Sequence, residues 1–291
     1  MGSVFEITLV DKDTTSANKN IDLVIAEITR IENLISEWNP ATQISVVNSN
    51  AGIKPVKVDP EVFNLTKRAI YYSQLSGGAF DISIAAMDKI WKFDGSMTMM
   101  PEETAIKKSV ENVGYENIIL DSINTTIYLA KAGMKIGFGS IGKGYAADRG
   151  RALMQAAGIQ SGIVNASGDL STWGQQPNGK PWTIGINNPF KSHKIIKILK
   201  MRESAVATSG SYEKYAEIND RHYSHIINPK TGYPSTGLTS VTIYGPTAEF
   251  SNFLSTSLMV LGEKEGLKLL KQFPMYRGLL ITDKGKVIHR R

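Results

Sequence analysis

Residues 135–148 read Lys135-Ile136-Gly137-Phe138-Gly139-Ser140-Ile141-Gly142-Lys143-Gly144-Tyr145-Ala146-Ala147-Asp148. A Gly-rich turn here runs into a helix predicted over 144 to 157, which Gly158 ends, and a short strand is predicted at 162 to 164. Such a turn leaves backbone N–H groups at the helix start free for an anion, and Lys143 adds positive charge. By itself the pattern is equally that of a tight connection.

The same alternation of short elements and turn residues extends in both directions. Ile21, Val24, Ile25, Ile28, Ile31, Leu34 and Ile35 recur at helical spacing and predict an amphipathic helix over 20 to 36. Phe63, Leu65, Ala69, Ile70 and Leu75 predict a second helix that stops at Gly77-Gly78. Strands are expected at 4 to 10, 118 to 120, 126 to 129, 183 to 186, 194 to 201, 239 to 244 and 278 to 281. Helices and strands mix without strict alternation, which points to an α+β fold with antiparallel sheets and packed helices, not a doubly wound parallel sheet. No Pro-, Ser- or Gly-rich tract is long enough to act as a linker, so residues 1–291 read as a single domain.

Composition narrows the chemistry. With 42% hydrophobic and 21% charged residues the chain can bury a core without staples. The 33 Lys+Arg against 27 Asp+Glu give a net charge of +6, a field that favours anionic ligands. The basic residues are scattered and interleaved with Ile195, Ile196 and Ile198, which argues against nucleic acid. There is no Cys, so disulfides, thiolate metal sites and Cys nucleophiles are excluded. No apolar run approaches the roughly 18 to 20 residues that span a bilayer, and Met1-Gly2-Ser3-Val4-Phe5 does not read as a signal peptide, so a soluble chain is expected.

Polar residues interrupt the apolar pattern in four further stretches. Ser224-His225-Ile226-Ile227-Asn228-Pro229 holds a His between packed neighbours and a turn, either as a proton carrier or as a hydrogen-bonded structural residue. In Ser251-Asn252-Phe253-Leu254-Ser255-Thr256, Asn252 and Thr256 share one helical face with Ser255 beside them. That oxygen set suits a hard cation such as Mg²⁺, or Ser251 or Asn252 caps a helix. Trp38, at a helix-to-loop exit, and Gly77-Gly78-Ala79-Phe80-Asp81 read either as walls for a planar ligand or as core.

Taken together, these segments resemble the ApbE family, the FAD:protein FMN transferases. The resemblance runs from Met1-Gly2-Ser3 through Gly78-Ala79-Phe80-Asp81, the segment Ile141 to Asp148, Thr208-Ser209-Gly210 and Ser224 to Pro229, and on to Thr256. It implies two β/α lobes of the T-fold kind forming one compact unit. It also implies an FAD site of Met1, Trp38, Ala79, Phe80, Asp81, Gly137, Lys143 and Ile227, Mg²⁺ held by Ser140, Asn252, Ser255 and Thr256, and His225 as the catalytic base. The implied reaction splits the FAD pyrophosphate, attaches FMN through a phosphoester to a Thr or Ser of an acceptor flavoprotein subunit or FMN-binding domain, and releases AMP.

Three positions depart from the family pattern. Asn252 stands where the family usually carries an Asp metal ligand, and Gly137 where an Asp is frequent. Ser167 takes the place of the first Gly of a Gly-Gly-Asp turn, in Ala166-Ser167-Gly168-Asp169. Two lost carboxylates are expected to weaken cation binding, which keeps two other outcomes open: an FAD-binding protein with little turnover, or a metal-dependent FAD pyrophosphatase. By the same resemblance the native protein is expected to be a periplasmic or extracytoplasmic lipoprotein, tied to the membrane only by a lipid anchor absent from this chain.

Overall fold

The computed structural model describes residues 2–191, 194–212, 214–219 and 221–290. In chain order the elements are β1 (Phe5–Val10), α1 (Thr14–Ile35), α2 (Gln43–Ser49), β2 (Val56–Lys57), α3 (Pro60–Leu75), α4 (Glu103–Ser109), β3 (Ile118–Asp121), β4 (Thr126–Leu129), α5 (Ile141–Ala156) and β5 (Ser161–Ala166). There follow β6 (Asp169–Trp173), β7 (Trp182–Asn187), β8 (Ile195–Met201), β9 (Ser204–Gly210), β10 (Tyr215–Ile218), β11 (Arg221–Ser224), β12 (Leu238–Gly245), α6 (Ala248–Lys271), β13 (Arg277–Thr282) and β14 (Val287–Arg290).

A seven-stranded sheet in the order β1-β5-β6-β9-β12-β13-β14 carries the fold, and every pairing in it is antiparallel. Its two faces are covered differently because consecutive strand residues point to opposite sides. Ala205 and Leu280 join the core under the helices, while Val206 and Leu279 pack against Ile186, Leu199 and Met201 of the β7–β8 hairpin. The α+β expectation with antiparallel sheets and packed helices therefore holds.

Helix α1 begins earlier than the apolar spacing alone indicates. Asp13 accepts from Ser16 N–H and caps it at Thr14, so a polar first turn precedes the stripe. Val24, Ile28, Ile31 and Ile35 are buried along that stripe, each worth about 1.5–3 kcal/mol of transfer free energy. Helix α3 likewise starts at Pro60, behind the Asp59 cap. Helix α5 starts at Ile141, not 144, because Gly142 and Lys143 already lie in its first turn. Strands β6 and β9, which hydropathy did not single out, sit in the middle of the sheet; β9 is built largely of small or hydroxyl residues, and β6 carries Ser171 and Thr172 at its centre.

Close approach of α5 to α6 fixes the geometry that matters most. A Cβ on Gly144 would lie 2.7 Å from the Ala248 carbonyl carbon, so only glycine permits this crossing. Four residues on, Asp148 accepts from Ala248 N–H and Glu249 N–H, both at 2.9 Å, and caps α6 from the neighbouring helix. Ser171 of β6 donates to the same carboxylate. Burial pushes the Asp148 acid up and those donors oppose it. At the same end, Glu249 receives Arg68 through two bonds of 2.7 and 2.9 Å and the Tyr72 hydroxyl at 2.8 Å, tying α3 to α6. Among the described residues no helix is long and apolar enough to cross a membrane.

Candidate active site

The N-terminus of α5 and the second turn of α6 meet at a cleft of about 540 Å³ that Thr208, Ser209 and Gly210 of β9 also line. Ser140 occupies the N-cap position of α5 yet makes no capping bond to its own helix. Its hydroxyl instead donates to Asn252 Oδ1 at 2.6 Å and lies 3.2 Å from Thr256 Oγ1. Ser209, at the end of β9, brings another hydroxyl to 3.3 Å from Thr256 Oγ1. Helical spacing explains why Asn252 and Thr256 arrive together, four residues apart on one face of α6.

Asp169 decides how Asn252 is oriented. Its carboxylate can only accept, and it takes the Asn252 Nδ2–H at 2.8 Å, so the amide oxygen must face Ser140. The result is a cluster of neutral oxygens opening on the cleft with a buried carboxylate directly behind it. This donor set fits a hard cation that keeps water and substrate phosphate in its shell. It is weak as a free-standing metal site, since no cluster of three acidic or His residues exists among the described residues.

Ser255 takes a different position from its neighbours. Its hydroxyl is fully buried, donates to Asn252 O at 3.1 Å and meets Ser209 Oγ at 2.9 Å, so it braces the cluster from behind. Lys143 and His225 line the same cleft as Ser140, Asn252 and Thr256. His225 Nδ1 lies 3.0 Å from Lys214 O, a carbonyl that can only accept. In the neutral ring this puts the proton on Nδ1 and the lone pair on Nε2, which makes Nε2 the nitrogen that can accept a proton.

Trp38 is 74% exposed, so it is not core; Lys89 Nζ sits 4.6 Å over its ring. Trp38 lines three cavities. Phe80 is buried edge-on to Tyr72 and Phe253, and the stretch Ala79, Phe80, Asp81 borders a fourth cavity with Gly137 and Ile227. Asp81 accepts from Ser83 N–H, Ser83 Oγ–H and Tyr115 N–H at 2.7–2.9 Å, so its carboxylate holds the 3₁₀ turn Ile82–Ala86 in place. Burial raises its pKa against those three donors. The loop carrying Gly137 is pinned by Gly137 N–H on Ile82 O at 3.0 Å and by the Asn48 amide, which exchanges two bonds with Ile136. Met1 lies outside the described residues.

Three groups escaped assignment from sequence: Glu37, Asp169 and Ser209. Glu37 lines all four cavities. The adjoining Trp38 was the available signal for it, and the Ser167-Gly168-Asp169 turn was the signal for Asp169. The turn is a two-residue hairpin with positive φ at Ser167 (55°) and Gly168 (98°), and it sets Asp169 at the first position of β6.

The sequence model of the ApbE family matches residues 1–279. A protein of Treponema pallidum (strain Nichols) named FAD:protein FMN transferase is 30% identical over 271 residues, covering 88% of this chain and 75% of that protein. The crystal structure of the ApbE protein of Thermotoga maritima superposes with a TM-score of 0.90 at 29% identity, over 100% of this chain and 94% of the other. The apo flavinyl transferase ApbE of Pseudomonas stutzeri gives 0.87 at 27% identity, over 100% and 92%.

Proposed function

On the premise that this chain belongs to the ApbE family, we propose that it is an FAD:protein FMN transferase whose cleavage of the FAD pyrophosphate is assisted by Mg²⁺. The observation that carries the reading is the meeting of three neutral oxygens, from Ser140, Asn252 and Thr256, with Lys143 and His225 around one cleft.

FAD is the substrate, and its pyrophosphate is the anion the cleft suits. Lys143, in the first turn of α5, adds a full positive charge beside the helix N-terminus. Ser140, Asn252 and Thr256 would hold the cation, whose chemistry is to neutralise phosphate charge that otherwise repels a nucleophile. His225 takes the proton of the acceptor Thr or Ser hydroxyl at Nε2, while Lys214 O keeps the other ring nitrogen protonated. The hydroxyl oxygen bonds to the FMN phosphorus, the bond from that phosphorus to the bridging oxygen breaks, and AMP leaves with that oxygen. The acceptor is a flavoprotein subunit or FMN-binding domain.

His225→Ala tests the assignment. We expect it to abolish flavin transfer while FAD affinity, read from quenching of flavin fluorescence, stays within about threefold. Equal loss of binding and transfer would make His225 a structural residue and remove the base from the scheme.

A further inference from the structure

Glu37 follows the C-cap of α1 and projects over the loop that leads into α5. A Cβ built on Gly137 would lie 1.5 Å from Glu37 Oε2 and 2.5 Å from its carboxyl carbon. The carboxylate therefore fills the volume that any side chain at 137 would need, and the two positions are mutually exclusive. Glu37 is half-buried, and its side chain makes no hydrogen bond among the described residues. Lys89 and Lys135 act on it only through their charge, and burial holds its pKa above the usual carboxylate value against them. It also lines all four of the cavities described above, including the one bordered by Ala79, Asp81, Gly137 and Ile227.

A partly desolvated carboxylate with no internal donor is costly, and such a group is satisfied when a ligand brings the donor. We propose that Glu37 is a substrate-binding residue of this chain, its carboxylate accepting a hydrogen bond from an N–H or O–H group of FAD in the space that Gly137 leaves open. This rests on the reading of FAD as the substrate. FAD offers suitable donors on both halves: the flavin imide and ribityl hydroxyls on one, the adenine amino group and ribose hydroxyls on the other. Gly137 has a stated part in the arrangement, since its missing side chain is what admits the carboxylate. Trp38 and Glu37 are then adjacent residues with complementary tasks, one offering a flat face and the other an acceptor.

The test is equilibrium binding of FAD, FMN and ADP, each with metal chelated, to the wild type, Glu37→Gln, Glu37→Ala and the double variant Glu37→Ala/Gly137→Asp. Loss of a hydrogen bond to a charged group, about 1.5–3 kcal/mol, corresponds to at least about tenfold in affinity. Glu37→Ala should weaken FAD by that factor, and Glu37→Gln, which keeps a neutral acceptor oxygen, should weaken it by less but by more than about twofold. Whichever of FMN and ADP weakens with it names the half contacted. The double variant, with its carboxylate supplied from 137, should recover most of the loss. Thermal melts without ligand separate binding from scaffolding: Glu37→Gln should melt no lower than the wild type, because it removes a charge held in an unfavourable site. FAD affinity within about twofold of wild type in both single variants would overturn the proposal, as would a drop in melting temperature of Glu37→Gln large enough to explain the weaker binding. A wild type that binds no FAD would overturn the functional reading itself, an outcome distinct from either.

Discussion

Replacing Asn252 by Asp restores a carboxylate at the position the resemblance marks as a metal ligand, and Asp169 makes the outcome conditional on a cation. In the native site Asn252 Nδ2–H donates to Asp169 Oδ2 at 2.8 Å. Asn252→Asp deletes that charge-assisted bond, about 1.5–3 kcal/mol, and sets two carboxylates face to face at hydrogen-bond distance. Like charges that close do not both ionise, so one acid in the variant has a raised pKa. A raised acid costs stability above its unfolded pKa, and the cost disappears as pH falls below it. At neutral pH without metal the variant should lose about 2–4 kcal/mol. For a chain of this size that is a fall in Tm of roughly 3–7 °C. A divalent cation, drawn in by the added negative charge, should return most of that loss and raise the variant's Tm more than the wild type's. Melts at neutral and mildly acidic pH, with and without Mg²⁺, read both effects. An Asn252→Asp variant as stable as wild type in chelator, or one that gains nothing extra from Mg²⁺, would refute the view that Asp169 and Asn252 form a pair tuned to the amide.

Gly144→Ala should lower Tm by several degrees and loosen the Ser140–Asn252 contact, because its methyl meets the Ala248 backbone at 2.7 Å and the helices must separate; circular dichroism melts check the first part and FAD binding the second. Glu249→Ala should cost about 2–3 kcal/mol, since it leaves the buried Tyr72 hydroxyl without its 2.8 Å partner and strands Arg68, and urea unfolding measures it. Lys143→Met, which keeps the stem and removes the charge, should weaken FAD more than riboflavin, which lacks phosphate; equal weakening of both would place Lys143 away from the pyrophosphate.

Much of this arrangement was legible in the sequence because its cues are local. The apolar stripe of α1 from Val24 to Ile35, the Gly-rich entry to α5 and the Asn252/Thr256 spacing on α6 are each written within a few turns of chain. What could not be read depends on partners distant in sequence. Strands β6 and β9 carry Ser and Thr at buried positions, so their hydropathy resembles a loop even though they are central in the sheet. Asp148 looks like an ordinary helix residue until α6 is laid against α5 and its carboxylate is found capping residue 248. The loss of acidic groups expected from Gly137 and Asn252 is likewise only half the picture, for Glu37 comes from 100 positions earlier (137 − 37) to fill the first space, and Asp169 stands behind the second.

The central claim is that FAD is divided between a leaving nucleotide and a protein hydroxyl. A single-turnover reaction of the chain with FAD, Mg²⁺ and an FMN-binding acceptor domain, in which AMP and acceptor-bound flavin are both quantified by mass spectrometry, tests it most directly. One AMP released for each FMN bound covalently to a Thr or Ser, and neither product when the metal is chelated, is the result expected. AMP accompanied by free FMN and unmodified acceptor would contradict transfer in favour of hydrolysis, and intact FAD recovered with Mg²⁺ present would contradict cleavage altogether.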